Sequence, residues 1–242
     1  MLRAGGVTDK GRVRPINEDC FAANDSLRLC VVADGMGGHN AGEVAARLAV
    51  DAIVDCVSTA ASAADAARVL RTAIYLANVQ VVEASDASEE LVGMGTTVVA
   101  ALVAGDRLAV GHVGDSRLYV SAHGQLRQLT HDDSWTAQVL AHDPAADPAA
   151  LRHHPMRNAL TNVVGAGSTT DIHVVEETLS GGEVLLLCTD GVHNMLDAGR
   201  LQQLLIEDLE PAEIAANIVR AALLRGSHDN CTAVVARYIK DC

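Results

Sequence analysis

The chain has 242 residues, of which 49% are hydrophobic but only 2% aromatic, and a formal net charge of −13 at pH 7. That length suits one large sheet-rich domain, and its core has to be built from Ala, Val, Leu and Ile, which favours close-packed helices and sheets over an aromatic ligand pocket. The acidic balance argues against nucleic acid or an anionic membrane as partner, because both need clustered Lys and Arg.

Two explanations remain for the 31 acids: a soluble, self-repelling surface, or carboxylates grouped as metal ligands. The six cysteines, Cys20, Cys30, Cys56, Cys188, Cys231 and Cys242, include no C-x-x-C pair, and several lie in apolar runs. They read as reduced core thiols, not as a disulfide frame or a zinc site. Met1-Leu2-Arg3-Ala4-Gly5-Gly6 has no secretion-signal core, and the longest apolar stretch, Val98 to Ala104, is too short to span a bilayer. A cytoplasmic, monomeric chain is expected.

In chain order, Glu18-Asp19 precede a short strand over Phe21 to Ala23, and Leu29 to Ala33 form a buried strand ending in Asp34-Gly35. Two helices follow. Gly42 to Val57 has Ala45, Leu48, Ala49, Ala52 and Cys56 on one face; Ala63 to Ser85 does the same with Ala66, Val69, Leu70, Ala73, Ala77 and Val81. Strands over Thr96 to Ala104, Arg107 to Val113, Ser116 to Ser121 and Gln125 to Leu129 are separated by Gly105-Asp106, Gly114-Asp115 and Ala122 to Gly124. That pattern predicts an antiparallel meander.

Residues 131–170 are rich in His, Asp, Pro and Ala, with His142-Asp143-Pro144, Asp147-Pro148 and His154-Pro155 as breakers. They read as a mobile excursion carrying short helices. Leu185 to Thr189 then runs into Asp190-Gly191. Pro211 opens a helix that closes before Gly226, with Ile214, Ile218 and Ala222 on one face, and Thr232 to Ile239 is the last strand. The order implies antiparallel sheets covered by helices, in a single domain over 1–242.

Asp34 and Asp190 both end buried-looking strands, Asp115 sits between two strands of the expected meander, and Asp229 precedes the last strand. One such Asp is ordinarily a turn residue making an Asx bond. Several at strand tips invite a joint explanation, since buried acids need compensation. If the tips converge, repulsion demands a cation, and oxygen-only ligands select Mg²⁺ or Mn²⁺ over zinc. A carboxylate shared by two ions suits a dinuclear site that activates water and clamps a phosphate. Spacing alone leaves convergence open.

Six stretches carry a family pattern: Gly11-Arg12-Val13-Arg14-Pro15-Ile16-Asn17-Glu18-Asp19, Val32-Ala33-Asp34-Gly35-Met36-Gly37-Gly38-His39, Met94-Gly95-Thr96-Thr97, Gly114-Asp115-Ser116-Arg117, Cys188-Thr189-Asp190-Gly191 and Ser227-His228-Asp229-Asn230-Cys231-Thr232. In these, and in their order over nearly the whole chain, the sequence resembles the bacterial type 2C metal-dependent serine/threonine protein phosphatases. The resemblance implies an α+β fold, two packed antiparallel β-sheets flanked by helix pairs, with metals in a cleft at one end. It implies two Mn²⁺ or Mg²⁺ ions bridged by Asp34, with Asp190 and Asp229 on one ion, the Gly35 carbonyl on the other, and Glu18 and Asp19 on the second ion or its waters. Arg14 would grip the phosphate, Asp115 would help hold a third ion, and a metal-activated water would hydrolyse phosphoserine and phosphothreonine on the substrates of a serine/threonine kinase.

Departures from the pattern leave questions. Met36 stands where some relatives carry a histidine proposed as general acid; nearby His39 is the candidate for that catalytic role, with a structural loop histidine as its competitor. Asn194 replaces an Asp that helps bind the third ion, and Thr189 replaces a Ser. Residues 131–165 match the family's variable flap beside the active site; there Arg152, His153, His154 and Arg157 form a basic cluster, either solvated or docking an acidic phosphopeptide, and Trp135 is read as flap packing. A small-metabolite phosphatase would show the same ligands. A catalytically inert binding module is opposed by the intact set of Arg14, Asp34, Asp190 and Asp229.

Overall fold

The computed structural model of the protein describes residues 1–37, 41–60, 65–143, 145–151 and 154–240. The chain opens with β1 (Leu2–Asp9), β2 (Asp19–Asn24) and β3 (Leu29–Met36), followed by α1 (Ala41–Thr59) and α2 (Ala66–Ala87). Next come β4 (Gly95–Thr96), β5 (Val98–Ala104), β6 (Arg107–Val113), β7 (Arg117–Ala122) and β8 (Gln125–Gln128), then α3 (Trp135–His142) and α4 (Pro148–Leu151). The remainder is β9 (His173–Thr178), β10 (Val184–Cys188), α5 (Asp190–His193), α6 (Ala198–Leu205), α7 (Pro211–Leu224) and β11 (Cys231–Tyr238).

The strands form two sheets, ordered β1-β11-β10-β7-β8 and β2-β3-β5-β6-β9, with β4 added beside β3. Every pairing is antiparallel. The aliphatic runs of β3 and β10 are explained by burial on both faces. In β3, Cys30 and Val32 point into the space between the sheets, while Leu29, Val31 and Ala33 meet α1 and α2. In β10, Leu185 and Leu187 fill the intersheet layer, while Leu186 and Cys188 join Leu201, Ile214 and Ile218 of α6 and α7. Period-two alternation thus divides each strand between two cores. The expected α-β-β-α sandwich is the observed one. Its helices pack close because their inner faces are small: Ala45, Ala49, Ala73 and Ala77 are all fully buried. No helix of the described residues is long and apolar enough to cross a membrane.

The expected meander is wrong at one junction. β5 pairs β6 and β7 pairs β8, but β6 continues to β9 and β7 to β10. The chain changes sheets at Gly114–Ser116. Gly114 has φ +94°, and a Cβ there would lie 2.7 Å from Thr97 Cγ2, so glycine alone fits the corner. Side chains satisfy its polar groups: Asp133 accepts the Gly114 N–H at 3.0 Å, and the Thr97 and Ser116 hydroxyls share a 2.7 Å bond. β1, β9 and α6 add to the elements expected, and the second helix spans Ala66–Ala87, residues 61–64 lying outside the described set.

The 131–165 segment carries α3 and α4, as short helices were expected there. Its two ends are tied together by the Ser134–Leu160 bridge, by Trp135 N–H donating to Ala159 at 2.8 Å and by Thr161 N–H donating to Asp133 at 2.9 Å. Asp133 also binds Asn162 Nδ2 (2.8 Å) and His173 Nε2 (3.0 Å). Trp135 stacks on His154 at 4.2 Å between centroids, so it packs within the segment.

Candidate metal and phosphate site

Register brings the strand tips together. Asp19 at the start of β2 faces Asp34 near the end of β3. In the other sheet, the end of β10 lies beside the starts of β11 and β7, because Cys188 pairs Ala233 and Arg117. Asp190, Asp229 and the Asp115 corner therefore share one end. Two hydroxyls stitch that end across the sheets: Thr232 and Thr189 donate to Asp19 Oδ2 at 2.6 and 3.0 Å. Convergence, which spacing left open, is a consequence of this tertiary pairing.

The gathered carboxylates disturb one another. Burial, then the charges of Asp19, Asp190, Asp115 and Asp229, pushes Asp34 well above the carboxylate range. Burial foremost lifts Asp19 and Asp115 to about 7 and Asp190 to about 6. Glu18 also rises through burial, opposed by Arg14. Arg14 donates to Asp229 Oδ2 at 2.7 Å with both side chains part-exposed. Among the described residues, Glu18 Oε1, Asp19 Oδ1 and Asp190 Oδ1 are buried with no hydrogen-bond donor. Buried acceptors left open beside like charges are the donor chemistry that suits a cation.

Among the described residues, no group of three or more His, Cys, Asp or Glu side chains is placed to hold a metal ion by itself. A four-ligand zinc cage is thus a poor fit. An open, all-oxygen cluster fits an ion that keeps several waters and takes one or two carboxylates. Gly35 and Gly42 let the end of β3, the start of α1 and Glu18 close on one another beside this cluster. A Cβ on Gly35 would strike the Gly42 carbonyl, and one on Gly42 would strike the Glu18 carboxylate, which rests against the start of α1.

Several supporting residues were not singled out in the sequence. Asn230 accepts the Glu18 N–H (2.9 Å) and donates to the Lys10 and Ile16 carbonyls (2.8 and 3.0 Å), fixing the loop that carries Arg14 and Glu18. Thr97 Oγ1 accepts the Asp34 N–H at 3.0 Å, and Thr96 Oγ1 donates to the Asp34 carbonyl at 3.0 Å. His193 Nε2–H donates to the Asp115 carbonyl at 3.1 Å; burial drives its pKa down to about 3, so it is a neutral donor. Asn194, singled out in the sequence as a departure, donates Nδ2 to Asp190 Oδ2 at 3.2 Å. The available signal was a set of polar residues inside apolar flanks: Thr96, Thr97, Thr189 and Thr232 are all buried. His39 lies outside the described residues.

A cavity of about 1080 Å³ opens on the site. Arg14, Asp115, Asp190 and Asp229 line it; Asp34, Asp19 and Glu18 do not.

Residues 12–223 match the protein phosphatase 2C family. The serine/threonine phosphatase Stp of Listeria welshimeri is 33% identical over 234 residues, covering 94% of this chain and 92% of its own. The serine/threonine protein phosphatase PstP of Mycobacterium tuberculosis is 36% identical over 242 residues, covering 98% of this chain and 45% of its own. The crystal structure of the PstP catalytic domain in complex with two manganese ions aligns with a TM-score of 0.87 at 33% identity, covering 98% of each chain. Stp1 of Staphylococcus aureus aligns with a TM-score of 0.89 at 31% identity, covering 98% of this chain and 95% of that one. The chain belongs to the protein phosphatase 2C family and is by class a serine/threonine protein phosphatase.

Proposed function

We propose that the chain hydrolyses phosphoserine and phosphothreonine monoesters on proteins, using two Mn²⁺ or Mg²⁺ ions held by Asp34, Asp190, Asp229, Glu18, Asp19 and the Gly35 carbonyl. The observation that carries this is the convergence of carboxylates from both sheets, with open buried oxygens at Glu18, Asp19 and Asp190. The two manganese ions of the similar PstP catalytic domain support the same count.

When bound, such ions neutralise the cluster, orient a phosphate and activate water. The rest falls to the chain. Arg14 turns its guanidinium fork from Asp229 to the phosphate oxygens. Thr189 and Thr232 hold Asp19, Asn230 holds the Arg14–Glu18 loop, and His193 holds the Asp115 corner. Asp115 would serve a third, weakly held ion, because Asn194 brings an amide where a charge would help. Water activated at the site would be the nucleophile, so no phosphoenzyme would form. His39 keeps its candidacy as leaving-group acid. A cytoplasmic location fits the free thiols of Cys20, Cys30, Cys56, Cys188 and Cys231.

The test is hydrolysis of phosphopeptides before and after exhaustive chelation. Activity should vanish on metal removal and return with Mn²⁺. Full turnover by the metal-free protein would overturn the proposal, and activity on small phosphorylated metabolites alone would redirect it to them.

A further inference from the structure

The cavity on the site, about 1080 Å³, exceeds the roughly 300–1000 Å³ that accommodates a drug-sized ligand. A phosphate group fills little of it. Beyond the carboxylate cluster the groove has two walls. The 131–165 segment supplies Thr136, Leu140 and Arg157; the segment after α5 and the end of α7 supply Asp197, Arg225 and His228.

The charge of these walls runs against that of the chain as a whole, which is −13. Two lining pairs cancel internally. Arg117 clasps Asp132 through Nε–Oδ1 and Nη2–Oδ2 contacts of 2.9 and 2.6 Å, and Arg14 meets Asp229. Asp115 and Asp190 belong to the carboxylate cluster, and what is left in the outer groove is Arg157 and Arg225 against Asp197, with the His228 ring beside them. Arg157 makes no ion pair among the described residues; its backbone carbonyl accepts the Thr136 hydroxyl at 3.0 Å, which fixes the residue's place in the wall. Arg225 lies 3.8 Å from Asp197, with side chains 50% and 72% exposed, a contact largely screened by water. Its Nη1 also donates to the Met195 carbonyl at 3.2 Å, which keeps the guanidinium on the wall whether or not Asp197 is engaged.

We propose that the outer groove recognises an acidic side chain, an Asp or Glu flanking the phosphorylated residue of the substrate, with Arg225 as the principal contact and Arg157 on the opposite wall. The proposal rests on the phosphopeptide reading of the site. A guanidinium on a fixed backbone anchor can exchange a long, exposed contact with Asp197 for a fork on an incoming carboxylate. The net negative charge of the chain disfavours such peptides over the surface as a whole, so the local excess of arginine acts as a discriminator. The contact is remote from phosphorus and made equally before and during reaction, so it acts through KM.

The test compares phosphothreonine peptides of one length whose flanking positions carry Asp, Ala or Lys, with p-nitrophenyl phosphate alongside, at saturating Mn²⁺. The wild-type protein should prefer the Asp peptide over the Ala peptide by about five- to tenfold in kcat/KM. Arg225→Ala should erase most of that preference by raising KM for the Asp peptide, with far smaller changes for the Ala peptide and p-nitrophenyl phosphate. Arg225→Lys should restore part of it, and Asp197→Asn should enlarge it. No preference in the wild type, or a preference untouched in both Arg225→Ala and Arg157→Ala, overturns the inference while leaving the phosphatase reading intact. If the wild type hydrolyses neither peptides nor p-nitrophenyl phosphate, the phosphatase reading falls and the inference with it.

Discussion

Arg14 and Asp190 differ in what their loss should do. Arg14 touches a carboxylate through its guanidinium but carries no oxygen for a cation; Asp190 has one buried oxygen open and the other on Asn194. Arg14→Ala should raise KM for phosphopeptides and leave Mn²⁺ affinity intact, whereas Asp190→Ala should weaken Mn²⁺ binding first. Mn²⁺ titration calorimetry beside Michaelis kinetics separates them. Metal loss with a normal KM in Arg14→Ala would make Arg14 a structural support of the cluster. Thr232 allows a second residue-level test. Its hydroxyl bonds both Asp19 at 2.6 Å and the Thr8 hydroxyl at 2.7 Å. Thr232→Val keeps the shape and removes a charge-assisted bond in a dry site, so it should cost about 1–3 kcal/mol in urea unfolding. An unchanged midpoint would mean that Thr189 alone suffices to hold Asp19.

Elements were legible in the sequence where one physical demand dominated. β3 and β10 are buried on both faces and read as unbroken aliphatic runs, and α1, α2 and α7 repeat small apolar residues at helical spacing. Illegible elements had competing demands. β1 carries Gly5 and Gly6, which look like breakers but leave room for α7 and β2: a Cβ on Gly5 would lie 2.6 Å from Ala212 N, and one on Gly6 2.6 Å from Phe21 Cε2. β9 is an edge strand, largely half-exposed, without a clean alternation. α6 has only eight residues, signalled by the Asp197 cap on Arg200 N–H and little else. Gly105-Asp106 and Gly114-Asp115 look alike in sequence, yet one is a hairpin and the other a change of sheet. The choice depends on Thr97 and Asp133, residues distant in the chain.

At the scale of the molecule, the site sits where the two sheets meet at one end, and its acids were individually legible while their meeting was not. Antiparallel register and the bonds from Thr189 and Thr232 to Asp19 bring them together, and neither is local in sequence. That meeting should make the metal-free protein sensitive to pH. Asp19 and Asp115 near 7 and Asp190 near 6 are raised above the ordinary 3.8 of the unfolded chain. Between those limits the folded state holds protons that the unfolded state has lost, so stability falls as pH rises. Chelated protein should therefore melt at a lower temperature at pH 8 than at pH 6, and saturating Mn²⁺ should shrink the difference. A flat profile without metal would mean that the carboxylates relax apart when empty.

The sandwich also has a second end. The turns at 25–28, 105–106, 122–124 and 179–183 all close strands at the pole opposite the carboxylates. Gly105 and Gly124 there have open space around them, with nothing within 4 Å of an added Cβ. Chemistry occupies one pole, and the other is free to be rewritten. A flexible Gly-Ser insertion of about ten residues after His123 should leave Mn²⁺ affinity and turnover near the parent values, since loop tips of this kind accept added chain. The same insertion after Gly114 should abolish both, because that corner has no slack. Fluorescent or affinity modules grafted at the silent pole would then report on the enzyme without touching it, and equal damage from both insertions would show that the two poles are mechanically coupled through the strands.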